Sequence, residues 1–282
     1  MTNTLRPWVA NISMLFADLP FLARPAAAAA AGFTAVECWW PWPTATPTEQ
    51  ERSDFVTAVE DARVHLTGLN FFAGDMPAGE RGIVCLAARR GEWEANLPVV
   101  AALGERLGCR QFNALYGNRA PGEDPATADA YAVEALAAAG AAVAGIGGTV
   151  LIEPVSGSPT YPVKTAADAV SVIDSVAAET GTRNLGFLCD LYHLAINGDD
   201  LTAVVERYGD RVAHVQLADA PGRGEPGTGD LDLDGPLDAL IDRGYRGRVA
   251  LEYKPSGDTA RGLDAWLPRA HRAGTATPTL VE

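Results

Sequence analysis

The sequence predicts an α/β fold, a single (β/α)8 barrel spanning residues 1–282. Three observations carry this. Short apolar runs without helical period alternate with helical stretches eight times, with no second-domain linker between them. Four of the later runs each deliver one oxygen-bearing side chain near the C-terminal end, at Glu153, Asp190, Gln216 and Glu252, where a parallel barrel builds its site. The rival, an open doubly wound sheet, usually shows a Gly-rich phosphate loop after a strand, and neither GxGxxG nor GxxxxGKS/T stands there.

In chain order, Val9–Ile12 is the first strand, and an alanine-rich helix over Pro20–Ala31 stops at Gly32. Thr34–Cys38 is the second strand and carries Glu37 near its end. Residues 39–47, WWPWPTATP, hold three tryptophans and three prolines, a rigid loop over the barrel mouth. Its tryptophans are hydrophobic anchors or a substrate wall, and Trp39, Trp40 and Trp42 need not share one role. A helix over Thr48–Ala62 starts at Thr48 or Ser53, and His65–Phe71 is the third strand. The long loop Phe72–Gly91, with AGDMPAGERG, has the character of an active-site lid. Trp93–Leu107 is a helix ended by Gly108, and Arg110–Leu115 is the fourth strand with Asn113 near its end. The helix Asp124–Ala144 turns through glycines into the strand of TVLIEPVS, and Thr165 caps a helix running to Glu179. LGFLCDLYH, a helix over 199–208, VAHVQLAD, a glycine-rich loop over 220–230, a helix over Asp234–Arg243 and RVALEYKP follow. The last helix includes Gly262–Ala270, and the tail 272–282 is expected to fray.

The formal charge is −14, and no basic footprint for nucleic acid is present. No apolar run is long enough to span a membrane, and the N-terminus has no signal-like apolar region, so a cytoplasmic protein is expected. The four cysteines, Cys38, Cys85, Cys109 and Cys189, have no CxxC spacing and read as free buried thiols. Asn11-Ile-Ser13 matches a glycosylation sequon but lies in a strand.

Three carboxylates and one amide oxygen at neighbouring strand ends suit a hard divalent ion, Mg2+ or Mn2+. A bound ion is also the simplest way to hold such carboxylates together without raising their pKa values steeply. His214 shares a strand face with Gln216, either deeper in the barrel or beside the metal shell, and His193 follows Asp190 by three residues. The glycines of 222–229 offer either backbone N–H donors for an anion or a flexible turn.

The motifs LIEPVS, CDLYH, VQLAD, RGEPGTG and ALEYKP, with NISMLF, GFTAVE and AGDMPAGERGI, resemble the hydroxypyruvate isomerase family. That family lies within the xylose-isomerase-like TIM-barrel sugar isomerases and epimerases. The resemblance implies a divalent metal on Glu153, Asp190, Gln216 and Glu252, with Glu153 and Glu252 also moving the proton. It places His193, Lys254, Arg223, Glu225 and Asn70 at the substrate, with Trp39 and Trp40 as candidate walls. The implied reaction converts hydroxypyruvate to tartronate semialdehyde through an enediolate, a metal-dependent intramolecular oxidoreduction. Lys254 and Arg223 are candidates for the substrate carboxylate. Members of the family often form homodimers.

Two departures stand out. The family's HNLPAGD-like motif is here LNFFAGD, with Leu69 in place of histidine, and the WWPWP loop is unusually rich in tryptophan. Both are expected to make the mouth more apolar and to open it to a larger 2-oxo acid, such as a 2-oxotetronate, or to a keto-sugar. His65 lies on the strand face of Leu69 but roughly 13 Å away, too far to replace the lost group. Alternatives are a keto-sugar epimerase, a glycoside-cleaving lyase and a non-catalytic sugar-binding barrel.

Overall fold

The computed structural model describes residues 6–273. Eight strands run parallel and pair in sequence order until the last closes on the first. They are β1 (Trp8–Asn11), β2 (Ala35–Cys38), β3 (His65–Asn70), β4 (Gln111–Asn113), β5 (Thr149–Ile152), β6 (Leu185–Asp190), β7 (Val212–Leu217) and β8 (Val249–Leu251). The outer layer consists of α1 (Arg24–Ala30), α2 (Glu49–Ala62), α3 (Arg90–Leu107), α4 (Pro125–Ala144), α5 (Ala166–Thr180), α6 (Leu191–Asn197), α7 (Leu201–Tyr208), α8 (Asp234–Asp242), α9 (Thr259–Trp266) and the short α10 (Arg269–Arg272).

The expected helix starts are made by side chains. Thr48, not Ser53, opens α2 in a reciprocal cap with Glu51, and Thr165 opens α5 in the same way with Asp168. Asp124 caps α4, with Pro125 in its first turn. Several element ends shift by a few residues from the sequence reading, and two of the differences bear on the site. β4 is three residues long, ending at Asn113. The run LGFLCDLYH changes state in its middle: β6 ends at Asp190, and α6 begins at the next residue because the Asp190 carboxylate accepts the N–H groups of Tyr192 and His193.

Each strand sends alternate side chains inward and outward. A Cβ placed on Gly68 would lie 3.1 Å from Glu37, so position 68 faces the barrel interior. Its neighbour Leu69 therefore faces outward, level with Phe112 of β4 in the layer beneath the helices. This corrects the reading of Leu69 as a group lost from the mouth. The strand's alternation, not its composition, decides the matter, and a side chain at 69 belongs to the core. His65 is exposed at the foot of the same strand.

All four cysteines are buried and free. No helix among the described residues is long and apolar enough to cross a membrane. Of the tail expected to fray, residues 274–282 lie outside the described residues. Arg272 itself is buried, donating to the carbonyls of Leu267 and Ala31 and pairing with Asp264.

Candidate active site

The C-terminal mouth of the barrel opens into a cavity of about 780 Å³. Glu153 stands immediately after β5 and Glu252 immediately after β8, both buried and both lining the cavity. Asp190, at the end of β6, and Gln216, within β7, are buried as well, and Asp190 pairs in register with Gln216. Asn113 donates to Glu153 Oε2 at 2.6 Å. The four strand-end residues thus converge as their spacing implies.

Two buried oxygens here, Asp190 Oδ2 and Gln216 Oε1, accept no hydrogen bond among the described residues. Buried oxygens left open are costly. A hard cation answers that cost, and Glu153 and Asp190 bring carboxylate oxygens within 4.8 Å of one another. The donor set therefore fits a divalent metal. Glu252 lies beside this pair through Arg223, whose guanidinium donates to Glu252 Oε1 and lies 3.8 Å from Asp190 Oδ2.

The electrostatics follow from burial. Burial pushes Glu153 up to about 8, with the charge of Asp190 adding to it. Burial also raises Glu252 well above the carboxylate range; Arg223 pulls the other way, while Glu153 and Asp190 push further up. Burial works against charge on Arg223, but Glu252 and Asp190 outweigh it and hold its proton more firmly than usual.

His193 has a defined role. Burial lowers it to about 4, so the ring is neutral at neutral pH. The backbone N–H of Ser156 lies 3.1 Å from His193 Nδ1 and can only donate, which leaves the ring proton on Nε2. That N–H faces Glu153 Oε1 at 3.8 Å and Asp190 Oδ2 at 3.9 Å. In this tautomer His193 presents a donor to the cavity and not a metal-ligating lone pair.

Beneath the mouth lies a second polar layer. Glu37 Oε1 accepts from Asn11 Nδ2 at 2.9 Å and Gln216 Nε2 at 2.7 Å, and Glu37 Oε2 lies 2.6 Å from His214 Nε2. Asn11 Nδ2 also donates to Glu252 Oε2 at 2.9 Å. Burial alone would raise Glu37, but His214, Gln216 and Asn11 together hold it below the usual range. His214 thus takes the deeper of its two expected places. Asn11, buried and committed, is closed to glycosylation.

The mouth's walls differ in kind. Trp39, Trp40, Trp42, Phe72 and Met76 supply an apolar part of the lining. Among the tryptophans only Trp39 reaches the floor, its indole N–H 3.3 Å from Glu252 Oε1. Trp40 donates to the Thr44 carbonyl and packs edge-on against Trp42, which packs against Phe55, so these two anchor the loop. His193, Arg223 and the exposed Lys254 add polar and charged groups to the same lining. Asn70 also lines the cavity.

Two of the expected groups are engaged within the protein. Glu225 Oε1 accepts the N–H and hydroxyl of Ser256, tying the β7 and β8 loops together. The glycine loop is neither a free turn nor an open anion cradle, because the buried carboxylate of Asp219 accepts the N–H groups of Ala220, Gly227, Gly229 and Leu231. One cation escaped sequence reasoning. Arg81, in the lid segment, lines the cavity and is fixed by the carbonyls of Met76 and Glu80. Its place in a lid beside a carboxylate-seeking site was the available signal.

The family model described as xylose isomerase-like TIM barrel matches residues 25–270. A putative hydroxypyruvate isomerase from Streptomyces coelicolor is 49% identical over 267 residues, covering 93% of this chain and 96% of that one. The hydroxypyruvate isomerase of Escherichia coli is 32% identical, covering 92% and 96%. A crystal structure described as an AP endonuclease, family 2, from Brucella melitensis superposes with a TM-score of 0.83 at 31% identity, covering 93% and 98%. With a matched model over most of its length and relatives aligned nearly end to end, the chain belongs to the xylose isomerase-like TIM-barrel family and is closely related to the hydroxypyruvate isomerases.

Proposed function

We propose that this protein is a metal-dependent isomerase that interconverts hydroxypyruvate and tartronate semialdehyde, or a close 2-oxo acid pair, through an enediolate. The observation that carries the reading is the floor of the cavity: two buried glutamates flank oxygens of Asp190 and Gln216 that accept no hydrogen bond among the described residues. Glu153, Asp190, Gln216 and Glu252 would hold the ion, with Mg2+ or Mn2+ matching the all-oxygen set. When bound, such an ion stabilises charge developing on substrate oxygen.

The chain's own residues supply the rest. One glutamate takes the proton from C3; the electron pair of that C–H bond becomes the C2=C3 enediolate double bond and the C2=O π pair moves onto its oxygen. The proton then returns at C2, and the C3 hydroxyl proton passes to the C2 oxygen as the C3 carbonyl forms. A raised carboxylate is matched to this exchange near neutral pH. His193 donates its Nε2–H to the oxygen on which charge develops. Lys254 makes no ion pair among the described residues, and Lys254 with Arg81 would receive the substrate carboxylate. Arg223 is engaged with Glu252 and Asp190, which suits it to the floor better than to the carboxylate. Trp39 and Phe72 screen the floor from water.

A second reading, a longer 2-oxo acid such as a 2-oxotetronate or a keto-sugar, is favoured by the size of the cavity and its tryptophan wall. Proton NMR in deuterium oxide with Mg2+-loaded protein tests both. Exchange at the carbon beside the carbonyl, lost in Glu252→Gln, is expected, and the fastest substrate identifies the reaction. Binding without exchange for every short 2-oxo acid and ketose would overturn the isomerase reading in favour of a binding barrel.

A further inference from the structure

We infer that Glu37 is a positioning residue that sets the orientation of the Gln216 amide, so that its carbonyl oxygen and not its NH2 faces the metal site. An amide side chain is nearly symmetric in shape. Rotated by half a turn, Gln216 would fill the same space and present two N–H donors to a site that needs an oxygen. Something must therefore choose between the two orientations.

The choice is traceable to groups that have no freedom. The backbone N–H of Ser13 can only donate, and it donates to Asn11 Oδ1 at 3.1 Å. That fixes Asn11, whose Nδ2 then faces Glu37 Oε1 and Glu252 Oε2, both at 2.9 Å. Glu37 Oε1 thus accepts, and it meets Gln216 at 2.7 Å, which only Nε2 can satisfy. The opposite atom, Gln216 Oε1, is left buried and without a protein partner. His214 closes the second oxygen of Glu37 at 2.6 Å, so the carboxylate is clamped by three side chains from two strands, β1 and β7. Gly68 leaves the room in which its stem lies, since a Cβ there would come within 3.1 Å of both Glu37 Cβ and Oε2. Groups of this kind, one shell behind a metal ligand, commonly change metal affinity about 10- to 100-fold when replaced.

The inference rests on the proposed metal site, and the test separates the two. Mn2+ affinity of the metal-free full chain is measured by calorimetry for the parent, Glu37→Gln, and the exchanged pair Glu37→Gln/Gln216→Glu. Glu37→Gln keeps the shape but lets the neighbouring amide turn, and it is expected to weaken Mn2+ binding about 10- to 100-fold. The exchanged pair keeps the net charge and gives position 216 an oxygen in either orientation, and it is expected to bind within about tenfold of the parent. A folded Glu37→Gln protein with parental affinity overturns the assignment. So does an exchanged pair that folds but binds as weakly as the single variant, because then Glu37 matters only for packing. Should the single variant fail to fold, the exchanged pair decides alone: parental affinity supports the assignment, and loss of about 100-fold or more overturns it. A parent that binds no Mn2+ overturns the metal site itself.

Discussion

The barrel interior holds two polar layers that differ in one respect. In the lower layer, around Glu37, every carboxylate oxygen is engaged and the carboxylate is stabilised as a charge. In the upper layer, around Glu153 and Glu252, oxygens are left open and both glutamates are driven toward the protonated form. The same residue type, equally buried, is thus held charged in one place and poised to exchange a proton a few residues away. Burial sets the cost for both, and the number of donors decides the outcome. The lower layer is closed by its own donors, and the upper is left open.

The sharpest way to break this contrast is to neutralise the upper layer. Glu153→Gln and Glu252→Gln are each expected to lower turnover by about 10²- to 10⁴-fold while the chain stays folded, as read from steady-state rates and circular dichroism. A variant with near-parental turnover would remove that residue from the proton path.

A smaller effect tests the electrostatics directly. Glu153 sits near 8 in the folded chain against an ordinary value of 4.5, so the folded state keeps a proton that the unfolded chain has already released between those values. The contribution of Glu153 to metal-free stability should therefore be full below about 4.5 and be lost as pH rises toward about 8, while His193, held near 4 against an ordinary 6.5, works in the opposite sense only up to about 6.5. A divalent ion should remove most of that decline. Calorimetric Tm values at pH 7 and 8.5, with and without Mg2+, check it above the range of His193; a metal-free Tm that rises with pH over this window would contradict the charge assignment.

The smallest expected effect concerns Leu69. Its side chain lies in the layer beneath the helices, so Leu69→His should bring no gain in kcat/KM on hydroxypyruvate and should lower the melting temperature, since an imidazole there is buried without a partner. A rise in kcat/KM would show that position 69 reaches the mouth.

Much of this was legible in the chain. Apolar runs ending in a carboxylate gave the strand order and the four converging residues, because a barrel places consecutive strand ends side by side. The places where reading fell short share a cause: contact between residues distant in sequence. Asn11 is 26 residues from Glu37, and His214 is 177 from it, so nothing local announces their bonds. Leu69 was misplaced because a motif comparison carries no face, whereas Gly68 beside Glu37 fixes it at once. Glu225 is engaged by Ser256, a contact its motif does not announce. The start of α6 inside LGFLCDLYH was hidden because Asp190 serves both as a strand end and as a cap.

Asp219 has a consequence for affinity. Segments that must be ordered when a ligand arrives subtract conformational entropy from the binding free energy. The loop that carries Arg223 is glycine-rich, the composition in which that loss would be greatest. Four of its N–H groups are already gathered onto one buried carboxylate. Its freedom is therefore surrendered during folding, and a small substrate with few atoms to contribute does not have to meet that cost.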